Sequence, residues 1–248
     1  MIDRRRFIAT SASGLLLGGC DRLNNSQSFR GVLRTAEKLT MASQRLISPR
    51  EALAREYSEA DLSPIFRSNG TRMPGGDDFA QHVAEEFANW RLIVDGLVAR
   101  PLSIPLTTLR SIPHQVQITR HDCVEGWSAI GKWHGLRLSR ILDQAGLSTR
   151  AKYIVFHCAD RFGDKPYYES IDLIDAFHPQ TIIAWGMNGH LLPVPNGAPL
   201  RLRVERQLGY KQAKYIQRIQ AVDSLAGLHG GKGGYWEDNA DYEWYAGI

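Results

Sequence analysis

The spacing of apolar residues divides the chain into a helix-prone first part and a strand-rich second part. Residues 21–60 are mostly polar with a helical spacing, and residues 48–51 read Ser-Pro-Arg-Glu, a capping-box sequence with proline at the first helical position. A proline- and glycine-rich stretch at 62–77 follows, and its composition predicts irregular structure. A four-residue spacing of apolar side chains over 79–87 then predicts one apolar helix face.

From residue 92 onward the pattern changes to short runs that are typical of β-strands. The predicted strands cover residues 92–98, 115–120, 153–158, 181–187 and 200–204. Turn signals separate several of these runs, namely Asp95-Gly96, Asn188-Gly189 and Asn196-Gly197. Short helices are predicted between the strands, around 136–145 and 170–177. Because strands and helices do not alternate strictly, the pattern predicts a mixed α+β domain rather than a doubly wound sheet.

The simplest division of the chain has three parts. Residues 1–20 form a signal, residues 21–60 an N-terminal helical arm, and residues 61–248 one domain that includes a C-terminal arm. The C-terminal arm, residues 226–248, combines glycines with tryptophan and tyrosine. We expect this arm to pack against the domain or to offer a surface to a partner protein, and we expect a monomer.

Composition and charge are those of an ordinary globular protein. The chain has 248 residues, of which 43% are hydrophobic and 23% are charged, and these fractions exclude a disordered, collagen-like or disulfide-dense chain. The formal net charge of +4 is too small to indicate nucleic acid as a partner. No run of about 18 consecutive apolar residues occurs, so we expect no permanent membrane span.

The first twenty residues have the layout of an export signal. Arginines at 4–6 precede a short apolar run that ends in small residues. Residues 3–8 resemble a twin-arginine signal, which implies export of the folded protein through the twin-arginine translocon. Residues 17–20, Leu-Gly-Gly-Cys, resemble a lipobox, which implies a periplasmic protein anchored to the inner membrane by a lipid on Cys20. The alternative is a basic N-terminal helix of a cytoplasmic protein.

Two cysteines, Cys123 and Cys158, lie beyond the signal and could form a disulfide in an exported protein. Cys123 follows a predicted strand in a polar loop, where folds commonly hold reactive groups. Arg120 and His121 would favour its thiolate, the form that binds soft metals or acts as a nucleophile. From these residues alone, a buried structural cysteine, a nucleophile with His121 as base and a metal thiolate all stay open. Neither zinc-ligand spacing nor a common nucleotide-binding loop occurs in the sequence.

The order and spacing of several motifs resemble the molybdopterin-binding oxidoreductase domain of the sulfite oxidase family. The motifs cover residues 90–98, 122–127, 133–138, 155–160, 196–202 and 209–214. Cys-Val-Glu-Gly-Trp at 123–127 is most similar to the branch that contains the catalytic subunit of the periplasmic protein-methionine-sulfoxide reductase. The resemblance extends over roughly residues 62–225. It implies that family's α+β fold, with mixed sheets and short helices, and a molybdenum–molybdopterin cofactor.

The resemblance also implies which residues form the cofactor site. Cys123 would supply a thiolate to the molybdenum, a role that suits a soft anionic sulfur. The other matching cofactor-binding positions are Asn69, Cys158, Asn196, Arg201, Gln212, Ala213 and Lys214. Arg201 offers a bidentate fork for the cofactor's phosphate. His121 and Arg120 are expected on the substrate side of the metal.

The family implies an enzyme that moves two electrons, commonly with an oxygen atom, between substrate and molybdenum. The branch implies reduction of an S- or N-oxide, in a small molecule or an oxidised side chain. Arg72-Met73 and Cys158 depart from the branch, so sulfite-type oxidation stays an alternative that a cationic pocket near Arg120 would fit. A non-catalytic lipoprotein and a Cys–His hydrolase are alternatives from other classes. The family implies a haem-containing membrane protein or a cytochrome as electron partner.

Overall fold

The structure is a computed structural model that describes residues 26–248, so the predicted signal at 1–20 lies outside the described residues. The chain forms two compact units, the first ending at Pro49 and the second covering Arg50–Ile248. Helix α1 (Gln27–Ile47) is the regular element in the described part of the first unit, residues 26–49. It begins at Ser26, whose side-chain oxygen accepts a hydrogen bond from the Phe29 amide over 3.4 Å.

The capping box predicted at residues 48–51 was wrong. Ser48 is the last residue associated with α1, in an extended conformation, and residues 49–51 form only a turn. Proline disfavours a helical conformation in the residue before it, so Pro49 ends the helix at Ser48 instead of starting another. A capping box does occur ten residues later, where Asp61 accepts hydrogen bonds from the amide and hydroxyl of Ser58 at 2.9 and 2.7 Å.

The second unit is built from two five-stranded sheets, one mixed and one antiparallel, with short helices between their strands. The strands are β1 (Arg91–Gly96), β2 (Leu102–Pro105), β3 (Gln115–Asp122), β4 (Ser128–Arg137), β5 (Tyr153–Phe162), β6 (Lys165–Asp172), β7 (Ile182–Met187), β8 (His190–Leu191), β9 (Arg201–Arg203) and β10 (Ile216–Val222). One sheet has the order β2-β1-β10-β5-β6, and the other has the order β3-β4-β7-β8 with β9 paired to β7. Strands β1 and β10 are parallel, and their other neighbours are antiparallel. The predicted mixed α+β class is confirmed.

The described helices of the second unit are short. They are α2 (Asp77–Ala84), α3 (Leu106–Ser111), α4 (Leu138–Ala145), α5 (Leu173–Ala176) and α6 (Tyr235–Ala240). The helix predicted at 136–145 begins two residues late, because β4 continues to Arg137. The helix predicted at 170–177 was wrong over its first three residues, which belong to β6. Pairing of β6 with β5 overrides the local preference there.

One contiguous apolar core joins the two sheets and their helices. Trp90, Trp133 and Phe156 are among its large buried side chains. The apolar face predicted over 79–87 is buried, but Phe87 lies beyond the end of α2 with a positive φ of 61°. Among the described residues, no helix is both long and apolar enough to cross a membrane.

The C-terminal arm is fixed to the domain by a buried ionic cluster. Lys211 donates hydrogen bonds from Nζ to Glu169 and to Glu237, the latter over 2.7 Å, and all three side chains are fully buried. Glu237 lies on α6, and Glu169 lies on β6. The cluster therefore connects the arm with the sheet that carries one wall of the site described next.

Candidate active site

A cleft with an empty volume of about 670 Å³ opens beside the turn between β3 and β4. Four of the residues predicted from the sequence line it, although they come from three distant parts of the chain. They are Asn69, Cys123, Gln212 and Lys214. Aromatic rings from β5, β6, the turn at Gly209–Lys211 and the C-terminal arm complete the walls, namely Phe162, Tyr167, Tyr210, Trp236 and Tyr242.

Cys123 lies in the tight turn that joins β3 to β4. Its amide donates to the Trp127 carbonyl over 2.9 Å, and its carbonyl accepts from the Gly126 amide over 3.0 Å. Gly126 has a φ of +85°, a conformation that favours glycine. The thiol is 7% exposed, and both Cys123 and Cys158 are free, so the disulfide alternative is wrong.

The expected activation of Cys123 by Arg120 and His121 was also wrong. Burial raises the pKa of the Cys123 thiol, and the Glu125 carboxylate adds to the rise. A hydrogen bond from the backbone at Glu125 and the charge of Arg201 lower the pKa in part. The thiol is therefore protonated unless a cation binds it, because a metal ligand must lose its proton.

Arg120 and His121 point to opposite sides of β3, since side chains alternate along a strand. Arg120 is exposed and forms an ion pair with Asp122, with 2.9 Å between Nε and Oδ1. The structure therefore does not bring Arg120 to the cleft.

His121 is fully buried behind the cleft wall. Its Nδ1 lies 3.1 Å from Arg203 Nη1 and 3.3 Å from Gln212 Oε1. Because arginine can only donate, Nδ1 accepts from Arg203 and the proton of the neutral ring is assigned to Nε2. Burial, followed by the charges of Arg201 and Arg203, holds the pKa of His121 well below its usual value. Nδ1 then has no proton to donate to Gln212 Oε1, so His121 contacts this lining residue by packing and not through a hydrogen bond.

Arg201 has the arrangement expected of a residue that holds an absent anion. It is fully buried, and its Nη1 donates to the Asn196 carbonyl over 3.0 Å. Its Nε and Nη2, like Asn196 Nδ2, have no hydrogen-bond partner in the described part of the chain. Burial and the neighbouring Arg203 lower the pKa of Arg201 to about 9.

Lys214 is a second buried cation and lines the cleft, whereas Arg201 and Asn196 lie behind its lining. Its Nζ donates to the carbonyls of Asn69 at 2.7 Å and Pro195 at 3.0 Å, and to that of Thr71. Burial and the charge of Arg201 lower its pKa to about 7. The predicted turn at 196–197 is present, and Gly197 allows the close approach, because a Cβ there would lie 2.9 Å from Lys214 Cγ.

These residues fit the phosphate end of a pterin cofactor. Arg201 and Lys214 are adjacent cations, and the unpartnered donors of Arg201 and Asn196 need an acceptor group. The Oδ1 atom of Asn69, a lining residue, is also buried without a partner between residues 26 and 248. A phosphate with several acceptor oxygens would satisfy the donors and offset the charge of both cations.

Two further predicted residues occupy structural positions. Cys158 is part of the hydrophobic core, with Sγ 3.9 Å from the Phe156 carbonyl, and it does not line the cleft. Burial raises its pKa well above the usual value, which keeps the thiol neutral. Ala213 is buried, and its carbonyl accepts from the Leu202 amide over 2.8 Å. This bond holds the Gln212–Lys214 stretch against β9.

Asp160 and Arg203 are candidate functional residues that the sequence reasoning missed. Asp160 lines the cleft, its Oδ1 has no partner among the residues described, and burial raises its pKa to about 6. Arg203 forms a buried ion pair with Glu205, with 2.5 Å between Nη2 and Oε2, and it also donates a hydrogen bond to His121. The alternation Arg-Leu-Arg-Val-Glu over 201–205 was a usable signal, because it directs three charged side chains to one face.

Comparison with known proteins gives the class of protein to which this chain belongs. The family model described as "Oxidoreductase molybdopterin binding domain" matches residues 80–227, and the chain belongs to this family. The family predicted from the motifs is confirmed. The chain is therefore an oxidoreductase enzyme with a molybdopterin cofactor.

Individual relatives agree with this assignment. A putative protein-methionine-sulfoxide reductase subunit YedZ1 from Azospira oryzae is 38% identical over 247 residues, which cover 98% of this chain and 87% of the relative. The crystal structure of the sulfane dehydrogenase SoxCD from Paracoccus pantotrophus has the same fold, with a TM-score of 0.51 and 22% identity. That match covers 55% of this chain and 39% of the SoxCD chain.

Proposed function

We propose that this chain is the catalytic subunit of an exported molybdenum enzyme that reduces an S-oxide. The observation that carries the proposal is that the free thiol of Cys123 and the buried ammonium of Lys214 line one cleft. A molybdenum–molybdopterin cofactor needs a soft sulfur ligand at its metal end and a cation at its phosphate end.

The bound cofactor supplies two-electron redox chemistry and oxygen-atom exchange. Cys123 would hold the metal through its thiolate, the form that remains when the thiol has lost its proton. Arg201 and Lys214 bind the phosphate, with Asn196 as a further donor. His121 packs against Gln212 and is a positioning residue.

The charge near Cys123 favours a neutral substrate. Glu125 lines the cleft together with Cys123, so an anion such as sulfite meets a carboxyl group there. Arg120, which could have attracted sulfite, is exposed and paired with Asp122. A neutral S-oxide has no such repulsion, and aromatic walls make favourable contacts with sulfur.

The reduction of an S-oxide requires protons as well as electrons. Two electrons and two protons convert the S-oxide to a sulfide and water. Asp160 supplies one of these protons from its carboxyl group, because burial raises its pKa to about 6. Methionine sulfoxide, free or within an oxidised protein, is the substrate that the name of the Azospira oryzae relative supports.

The same proposal includes the location and partners of the enzyme. The signal pattern in residues 1–20 supports export by the twin-arginine translocon to the periplasm, with a lipid on Cys20 as anchor to the inner membrane. The relative is named a subunit, which supports a second component. We propose a haem-containing membrane protein or a cytochrome in that role, and a monomeric catalytic chain.

The test begins with the metal. The full chain is expressed in a host that makes the pterin cofactor, and molybdenum is measured by elemental analysis. We expect about one molybdenum per chain, and a lost metal or a changed Mo(V) paramagnetic signal in Cys123→Ser. Cys158→Ala removes the cysteine in the core and should keep the metal.

Activity then separates the substrates. With a reduced viologen dye as electron donor, we expect turnover of methionine sulfoxide. With ferricyanide as acceptor, we expect no oxidation of sulfite. Folded protein without molybdenum would contradict the enzyme proposal and favour a non-catalytic lipoprotein, and sulfite oxidation would overturn the proposed direction.

A further inference from the structure

Helix α1 has an apolar face that the structure leaves exposed to solvent. Its members are one, six or seven residues apart, which places them within an arc of about 140° around the helix axis and so on one side of the helix. Their exposed fractions are 63% for Val32, 48% for Leu33, 66% for Leu39, 87% for Leu46 and 80% for Ile47. Met41 and Gln44, away from this face, are half-buried. A contiguous exposed apolar face of this kind marks an interaction site.

The charge of α1 identifies the kind of surface that fits this face. The helix sequence has four basic residues, Arg30, Arg34, Lys38 and Arg45, and one acidic residue, Glu37. With about 3.6 residues per turn, the basic positions fall on the side opposite the apolar face. A basic amphipathic helix complements a surface that is apolar inside and negatively charged outside.

We propose that α1 is an interfacial helix that lies in the plane of a membrane containing anionic lipids. Its apolar face enters the boundary between headgroups and acyl chains, while the basic residues contact the headgroups. The 21 residues of α1 are too polar to cross a bilayer, and a strong division into two faces with low overall hydrophobicity is typical of in-plane helices.

The position of α1 in the chain agrees with this role. It begins seven residues after Cys20, so a lipid on Cys20 would hold the helix at the bilayer surface. Binding by α1 adds to such an anchor but does not need it, because the apolar face is part of the chain itself. The helix would keep the oxidoreductase unit near a membrane-bound electron donor and raise its effective concentration there.

Vesicle binding by the full chain tests the proposal. Protein is sedimented with vesicles of phosphatidylglycerol and phosphatidylethanolamine, and with vesicles of phosphatidylcholine. The double variant Leu39→Gln, Leu46→Gln removes apolar area without changing charge, and Met41→Gln is the matched control on the other side. We expect the double variant to bind anionic vesicles at least about tenfold more weakly. The control should stay within about twofold of the unsubstituted chain.

Residues 1–25 are the same in every variant, so their contribution to binding cancels in the comparison. Circular dichroism checks that α1 still forms. The proposal is overturned if the double variant binds like the unsubstituted chain, or if phosphatidylcholine binds as well as the anionic mixture. It is also overturned if the unsubstituted chain binds no vesicles and instead forms a dimer that the double variant no longer forms. Molybdenum content and methionine sulfoxide reduction are unaffected by these outcomes, so they report separately on the proposed function.

Discussion

A buried guanidinium with two unpartnered nitrogen atoms, as in Arg201, indicates a ligand that the protein is built to bind. An uncompensated buried charge is unfavourable in the cofactor-free chain. Burial disfavours the charged guanidinium and is the main cause that lowers the pKa of Arg201 to about 9. A residue that destabilises the empty protein and stabilises the loaded one therefore couples folding to cofactor binding.

We predict opposite effects of Arg201→Gln on stability and on loading. The cofactor-free variant should gain about 1 kcal/mol or more in free energy of unfolding, since a buried charge is removed. Its molybdenum content after expression in a cofactor-producing host should fall about tenfold, since two phosphate contacts are lost. Urea denaturation and elemental analysis measure the two effects.

Arg150→Gln, at an exposed arginine near Asp223, is the control and should change neither. Equal loading of both variants would contradict the assignment.

Asp160 predicts a pH dependence of stability in the cofactor-free protein. Burial raises its folded-state pKa to about 6 from an ordinary 3.8, so the protonated form is favoured by folding. The stability from this group is fully present below about pH 4 and is lost as the pH rises through 6. Asp160→Asn should therefore be the more stable protein above pH 6, by about 2–3 kcal/mol.

The measurement is thermal unfolding of both proteins at several pH values. The two melting temperatures should be close at low pH and separate as the pH rises. A constant difference at every pH would mean that Asp160 does not titrate in this range. In the loaded enzyme, Asp160→Asn should also slow the reduction of methionine sulfoxide, because the variant carries no titratable proton.

At the scale of elements, the buried cluster of Lys211, Glu169 and Glu237 connects the C-terminal arm with β6. Burial, and then the charge of Glu237, raises the pKa of Glu169 well above its usual range. Lys211 forms ion pairs with both carboxyl groups, so one cation joins the arm to the strand.

Lys211→Met should destabilise the protein by about 3–5 kcal/mol, because the buried carboxyl groups of Glu169 and Glu237 lose their cationic partner. Lys232→Met is the matched control. It removes a partly exposed lysine paired with Asp241, and it should cost less than about 1 kcal/mol. Denaturant unfolding measures both. Similar losses in the two variants would show that the buried cluster contributes no more than a surface ion pair.

The sequence pattern did not predict strands β10 and β4, and each was missed for a physical reason. In β10 the apolar residues Ile216 and Ile219 are three apart, because a register shift between Ile216 and Arg218 breaks the two-residue period. In β4 the buried positions alternate correctly, but Gly131 and Gly135 occupy two of them. Glycine has no apolar side chain, and a Cβ at Gly135 would lie 2.5 Å from the Ile183 carbonyl oxygen. Hydrophobic periodicity cannot detect such strands.

The candidate site was predictable to the extent that local motifs define it. Asn69, Cys123, Gln212 and Lys214 were identified from motifs similar to a known family, and the structure brings them to one cleft. Asp160 was not identified as a site residue, because its burial depends on segments far away in the chain. Arg120 was misplaced because its alternation with His121 on β3 was not considered.

At the scale of the molecule, the cleft depends on the complete tertiary structure. Its lining residues come from the loop before α2, the β3–β4 turn, β5, β6, the segment before β10 and the C-terminal arm. Because no single motif forms a wall alone, the cofactor can stabilise many segments at once when it binds. Helix α1 belongs to the other compact unit, so the proposed membrane contact and the cofactor site reside in separate parts of the chain.

The central place of β10 in its sheet has a consequence for how the protein is made. Strands β1 and β5 both pair with β10, yet β10 follows them in the chain by more than fifty residues. While the ribosome is still synthesising residues before 216, both strands therefore lack their shared neighbour and present open edges. The growing chain needs protection from aggregation until that strand emerges. A translational stop before it would release a polypeptide that quality control must degrade.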